Sequence, residues 1–328
     1  MLVERISFYA PCILLILLFS CVNKLELDIP PRERKSLHIE AKLVQGNLSS
    51  IAVEINSIYD LTPGSFSPVS VRDVHLLDME ENRMEVPAVG QGAYYRNIFE
   101  DDPIEIMVGQ SYALEIVTQV GENIDSDFDK LLAVGETEEL TAYRFQKDFL
   151  DRFEDFVKQS FIGFDITLMT PNVNRPEVAQ NFRFDIERTY KVTDNSGHTC
   201  YISQVFNLDD EVTLTTSNLR GSQSVKLPLI DALISPYFAE GYYLNIYQQS
   251  LSQGAYKYWN SIHQVINRTG NMFESPAGKI RTNFSYRNEV NREMFGIFYA
   301  TQAAVSRIYI SPDFAGFPLK RCPHQRRL

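Results

Sequence analysis

The chain has 328 residues, 44% of them hydrophobic and 22% charged, which is enough to bury a core and long enough for two domains. Collagen, disorder and low complexity are excluded, and 21 Phe and 17 Tyr against a single Trp suit half-buried strands. Asp and Glu number 42 against 31 Lys and Arg, and the net charge of -11 repels phosphate backbones, so nucleic acid is excluded as a partner.

Residues Ile6 to Phe19 form an apolar stretch shorter than the ~20 residues that cross a bilayer as a helix. Residues 1–20 therefore read as a signal peptide. Its end, Leu18-Phe19-Ser20-Cys21, resembles the lipobox of bacterial lipoproteins, which implies that Cys21 is lipidated and becomes the mature N-terminus. Residues 21–34 are charged and carry Pro30 and Pro31, as suits an extended tether between a lipid and a folded body.

Strands are predicted from there. Leu37–Val44 and Ile51–Tyr59 alternate apolar and polar residues, and Val69–Leu77 follows a turn at Pro63-Gly64-Ser65. Around Gly90–Tyr94 and Gly109–Ile116 a glycine marks a turn and an aromatic opens a strand, a pattern similar to transthyretin-like, immunoglobulin-like and carboxypeptidase-regulatory-like sandwiches. This places a β-sandwich domain at 35–120. The segment 121–160 is mixed, because Phe149, Phe153 and Phe156 fall at helical spacing while Thr141–Phe145 alternates. It reads as a short amphipathic linker between strands. Further strands are expected at Phe161–Thr170, Phe182–Thr193, Cys200–Phe206, Val212–Thr216, Val225–Ile230 and Tyr242–Gln248. A helix over 250–268 follows, with a capping box at Ser250–Gln253 and an apolar face of Leu251, Ala255, Tyr258, Trp259, Ile262 and Ile266. Lys279–Tyr286, Glu293–Ala300 and Val305–Ile310 read as three closing strands. The second domain, 161–328, is thus an antiparallel sheet or barrel with one packed helix.

With Cys12 in the signal and Cys21 lipidated, the mature chain keeps Cys200 and Cys322, which could pair or stay as separate thiols. The lipobox, the strand Asn181–Tyr190 (NFRFDIERTY), Cys200 followed by an aromatic, the helix Leu251–Trp259 and the closing strands together resemble the Bacteroidetes outer-membrane lipoproteins grouped as domain of unknown function 4249. The resemblance covers nearly the whole mature chain. It implies an outer-membrane lipoprotein of a family often encoded beside TonB-dependent transporters and without an established activity. It also implies that Cys322 is the remnant of a terminal cysteine cluster, bridged to Cys200.

Asp125, Asp127, Asp129, Leu132 and Glu136 match positions of an EF-hand calcium loop, but Lys130 stands where that loop turns on a glycine. The segment reads as a solvated acidic linker, and no metal or other cofactor is expected. The five histidines include no HxH, HxxxH or HExxH pair, and no nucleophile elbow, Walker loop or dinucleotide fingerprint occurs. Tyr94, Tyr95, Tyr237, Tyr242, Tyr243 and Tyr247 are candidate stacking platforms for a glycan or a protein, while Trp259 reads as core. The expected function is non-enzymatic binding at the outer membrane, accessory to a TonB-dependent transporter. The alternatives are an envelope hydrolase acting on glycan or peptide, and a structural envelope protein.

Overall fold

The computed structural model describes residues 36–58, 66–135, 140–150, 156–168, 175–194, 196–205, 212–216, 223–235, 238–266, 280–288 and 292–314. The strands are β1 (Ser36–Gln45), β2 (Ser49–Ile58), β3 (Phe66–Pro68), β4 (Asp73–Asp78), β5 (Arg83–Glu85), β6 (Ala88–Gly90), β7 (Ala93–Ile98), β8 (Ser111–Val117), β9 (Asn123–Ser126) and β10 (Asp129–Lys130). They continue as β11 (Thr141–Leu150), β12 (Phe156–Leu168), β13 (Asn181–Thr193), β14 (Thr199–Val205), β15 (Val212–Thr215), β16 (Gln223–Leu233) and β17 (Tyr242–Leu251). Helix α1 (Gln253–Ile266), β18 (Phe284–Tyr286) and β19 (Met294–Ile310) follow. The protein is mainly β with one packed helix, and among the described residues no sheet closes into a barrel.

A ten-stranded sheet runs in the order β14-β13-β17-β19-β1-β2-β7-β6, with β15 beside β13 and β3 beside β2. A six-stranded sheet (β18-β9-β8-β4-β5, with β10 on β8) and a three-stranded sheet (β11-β12-β16) lie against it. The long strand β19 explains how one sheet serves two cores. Its first part pairs in parallel with β1, from Leu37 opposite Met294 to Gln45 opposite Gln302. From Ala303 it pairs antiparallel with β17, which β13 then continues. What reads in sequence as two closing strands is one strand that changes partners at Gln302.

Side chains alternate across a strand, so parity assigns faces. Met294, Phe298 and Ala300 of β19 point into the core beneath the six-stranded sheet, with Leu37, Ile39, Ala41 and Leu43 of β1. Ala304, Ile308 and Ile310 continue the same parity into the core beneath the three-stranded sheet, with Phe182, Phe184 and Ile186 of β13. Both small sheets therefore cover the same face of the large one. The two cores share the large sheet, and the first joins distant parts of the chain, Ile39 and Val53 with Phe284 and Phe298. On the opposite face, α1 packs Ala255, Tyr258 and Trp259 against Leu251, Ile297 and Tyr299.

Where β19 has not yet met β17, its free edge is satisfied by side chains. Phe298 donates to Asn283 Oδ1 at 3.0 Å, Ala300 donates to Asp129 Oδ2 at 2.9 Å, and Gln302 donates to Ser250 Oγ at 2.9 Å. Alternate N–H groups of one strand edge thus find side-chain acceptors, as buried backbone donors must. Two expected elements differ. Ser250 is not a helix cap: β17 runs through Leu251, Ser250 is buried at the partner change, and Ser252 Oγ instead accepts the Ala255 N–H at 3.1 Å. The 121–160 segment holds no amphipathic helix among its described residues, since β11 pairs with β12 and brings Phe149 opposite Val157 and Leu150 opposite Phe156. The interval between Phe149 and Phe156 therefore belongs to two paired strands. No helix of the described residues is long and apolar enough to cross a membrane.

Candidate functional site

The strand Asn181–Thr193 alternates Phe182, Phe184 and Ile186 with Arg183, Asp185 and Glu187. The apolar series lies in a core, so the charged series is placed on the other face of the large sheet. There Arg183 stands opposite Gln249 of β17, Asp185 opposite Tyr247, and Glu187 opposite Asn245. Outward residues of β19 come next in the row: Ala303 beside Gln249, Val305 beside Tyr247 and Arg307 beside Asn245.

Arg183 is buried, and its guanidinium lies 3.9 Å from the centre of the Trp259 ring. Its Nη1 donates to Tyr299 Oη at 3.0 Å, and its Nε lies 3.4 Å from Asp185 Oδ1. Asp185 also takes the amide N–H of Gln249 and lies 3.5 Å from Lys42 Nζ on β1. A buried guanidinium is tolerated because the stacked ring, the phenol oxygen and the carboxylate replace its water. Burial pushes the Tyr299 phenol above the ordinary tyrosine range, so it stays neutral beside the arginine.

Beyond the helix the face is open. Arg307 Nε donates to Asn245 Oδ1 at 2.7 Å, Asn245 Nδ2 donates to Glu187 Oε1 at 3.0 Å and to Thr189 Oγ1 at 3.1 Å, and Thr189 meets Ser203 of β14 at 2.8 Å. This lattice spans β19, β17, β13 and β14. Aromatic groups flank it: Tyr243 and Tyr309 lie 5.1 Å apart, and Arg307 sits 5.2 Å from the Tyr243 ring. Tyr201, Val205, Val305 and Tyr309 are each more than half exposed. Burial and the neighbouring Glu187 raise the pKa of Tyr247. Between Lys42, Asp185, Glu187, Val205 and Tyr247 lies a groove of about 350 Å³, which Gln249 also lines.

The six candidate tyrosines separate. Tyr94 is core, its hydroxyl held between the N–H and carbonyl of Val71 at 2.6 and 3.2 Å. Tyr242 is core, stacked on Phe238 at 3.8 Å. Tyr95 is exposed on β7, and only Tyr243 and Tyr247 join the open face; Tyr237 lies outside the described residues. Cys21 and Cys322 also lie outside them, while Cys200 is exposed on β14 without a disulfide partner among the described residues.

The carboxylates of the calcium-like segment have separate duties. Asp125 receives Arg287 through Nε at 2.8 Å and Nη2 at 2.7 Å, and the same arginine reaches Glu115 at 2.8 Å. Asp127 is exposed. Asp129 is buried, caps Ala300, and burial raises its pKa to about 6. Glu136 lies outside the described residues, among which no three His, Cys, Asp or Glu side chains gather as a metal would need.

Sequence reading singles out the Asn181–Tyr190 strand but not Arg183, Asp185 and Glu187 as a site. The available signal is the alternation of Arg183, Asp185 and Glu187 with Phe182, Phe184 and Ile186, which puts the three charges on one face. Lys42, Gln249 and Tyr299 come from distant segments and carry no such signal. No curated protein matches the chain. A family model described as a domain of unknown function, DUF4249, matches residues 22–307, and the chain therefore belongs to that family.

Proposed function

We propose that the protein is a non-enzymatic binding lipoprotein of the outer membrane, anchored through Cys21 and accessory to a TonB-dependent transporter. The observation that carries the binding role is the open face formed by β14, β13, β17 and the second half of β19. Its polar groups are held in a hydrogen-bonded lattice on strands, and exposed tyrosines and valines stand beside them. Rigid polar groups flanked by aromatic surface lose little conformational entropy on binding, which favours recognition. The carboxylates of this face, Asp185 and Glu187, are engaged by Gln249, Lys42, Asn245 and Thr189, which suits positioning a ligand. The lipobox at Cys21 and the tether to residue 34 support attachment at a membrane, where confinement lets a modest interface suffice.

The test is affinity purification from detergent-solubilised outer membrane with tagged wild type and a Cys21→Ala control. The proposal expects wild type in the membrane fraction with a barrel protein enriched, and the control released. Equal membrane retention of Cys21→Ala, or hydrolysis of a glycan or peptide by the purified protein with no partner enriched, would overturn it.

A further inference from the structure

The groove between Lys42, Asp185, Glu187 and Tyr247 has a hydrogen-bonding character that narrows its ligand. Two cations, Lys42 and Arg183, face two carboxylates, Asp185 and Glu187, so the fixed charge in the groove cancels. An anion would meet the carboxylates and a cation would meet Lys42 and Arg183, so neither gains a net attraction. A neutral ligand is not penalised.

The hydrogen-bonding capacity left over runs in both directions. The Lys42 ammonium carries three donors and among the described residues makes a single polar contact, at 3.5 Å, to Asp185. Glu187 takes Asn245 and Thr189 on Oε1 and keeps Oε2 as an acceptor. Gln249 is 3% exposed, and its Oε1 is buried without a hydrogen bond among the described residues. Its orientation is fixed, because turning the amide over would set its oxygen against the Asp185 carboxylate that its N–H₂ now serves. A buried acceptor left in this way asks for a donor. The walls are apolar: the Val44 and Val205 side chains and the Tyr247 ring.

A hydroxyl both donates and accepts, and a ring bearing hydroxyls on its rim and C–H groups on its faces meets all of these demands at once. Resting on the binding role proposed above, the geometry points to a neutral carbohydrate, of mono- or disaccharide size, as the occupant of the groove. The volume of about 350 Å³ agrees with that size, at the lower end of the range of about 300–1,000 Å³ for ligand pockets.

The experiment uses the full lipidated chain, solubilised in a polyoxyethylene detergent that carries no sugar headgroup. It is presented to an array of neutral oligosaccharides, with uronic-acid oligosaccharides, short peptides and inorganic phosphate as comparison probes. The best neutral sugar is then titrated against wild type, Lys42→Met, Tyr247→Phe and Gln249→Leu, each checked for native circular dichroism. Binding of a neutral sugar weakened at least about tenfold by two of the three substitutions is expected. Three results overturn the inference: no neutral sugar bound, preference for the peptides, uronic acids or phosphate, and a bound sugar indifferent to all three substitutions. Failure here with a membrane protein still enriched in the purification removes the sugar and leaves the binding role; failure of both removes both.

Discussion

Asp129 offers a quantitative test of how the two halves of the large sheet are joined. Its carboxylate is buried, accepts the Ala300 N–H of β19 and receives the Ser252 hydroxyl. Burial outweighs those two hydrogen bonds and raises the pKa from 3.8 to about 6. At 1.36 kcal/mol per unit this is a linkage of roughly 3 kcal/mol. A raised pKa in the folded state means that the contribution is complete below the unfolded value near pH 4 and is lost as pH rises through 6. About a third is gone by pH 4.5, leaving roughly 2 kcal/mol to disappear between pH 4.5 and 7.5. Asp129→Asn keeps a carbonyl oxygen for Ala300 and removes the charge. In urea denaturation the stability of the variant minus that of wild type should therefore rise by roughly 2 kcal/mol from pH 4.5 to 7.5. The same difference at both values, within about 0.5 kcal/mol, would refute the reasoning. Asp129→Ala, which strands a buried N–H, should cost about 1–3 kcal/mol more than Asp129→Asn at pH 4.5.

Gly296 has φ of 101°, and a Cβ there would lie 1.9 Å from the Ile39 carbonyl oxygen, so Gly296→Val should cost roughly 3 kcal/mol or more in the same assay. Arg183→Met should shift the fluorescence of Trp259, the sole tryptophan, and destabilise by roughly 1–3 kcal/mol because Tyr299 loses a hydrogen bond and Asp185 keeps only Lys42 and Gln249; an unchanged emission spectrum would contradict the stacking. Millimolar calcium and chelator should give the same melting temperature, whereas a large shift abolished by Asp127→Ala would show a site at Asp125–Glu136. Non-reducing peptide mapping should recover a Cys200–Cys322 bridge, and two alkylatable thiols would refute it.

Local patterns were legible where one face of a strand is buried. The alternation at Leu37–Val44 and Ile51–Tyr59 predicted β1 and β2, because period two in sequence is period two in burial. Partner choice was not legible. The small and polar run Thr301-Gln302-Ala303-Ala304 looks like a break between strands, yet it is the point where β19 leaves β1 for β17. Gln302 is held there by Val134 and Gln45, residues 168 and 257 positions away. The phenylalanines at 149 and 156 show the converse, a helical interval that belongs to two paired strands. The recognition face was half legible. The charges of β13 share a face by spacing alone, but the stacking of Arg183 on Trp259 and its contact with Tyr299 depend on how α1 is laid over the sheet.

The claim that the open face of the large sheet is the recognition surface is tested most directly by site-specific photocrosslinking in living cells. A photoreactive phenylalanine replaces Tyr309 or Tyr201 on the open face, and Phe128 as an exposed control that follows β9 of the six-stranded sheet. Adducts to an envelope component from Tyr309 and Tyr201, and none from Phe128, are predicted. Adducts from Phe128 with none from either tyrosine would contradict the account.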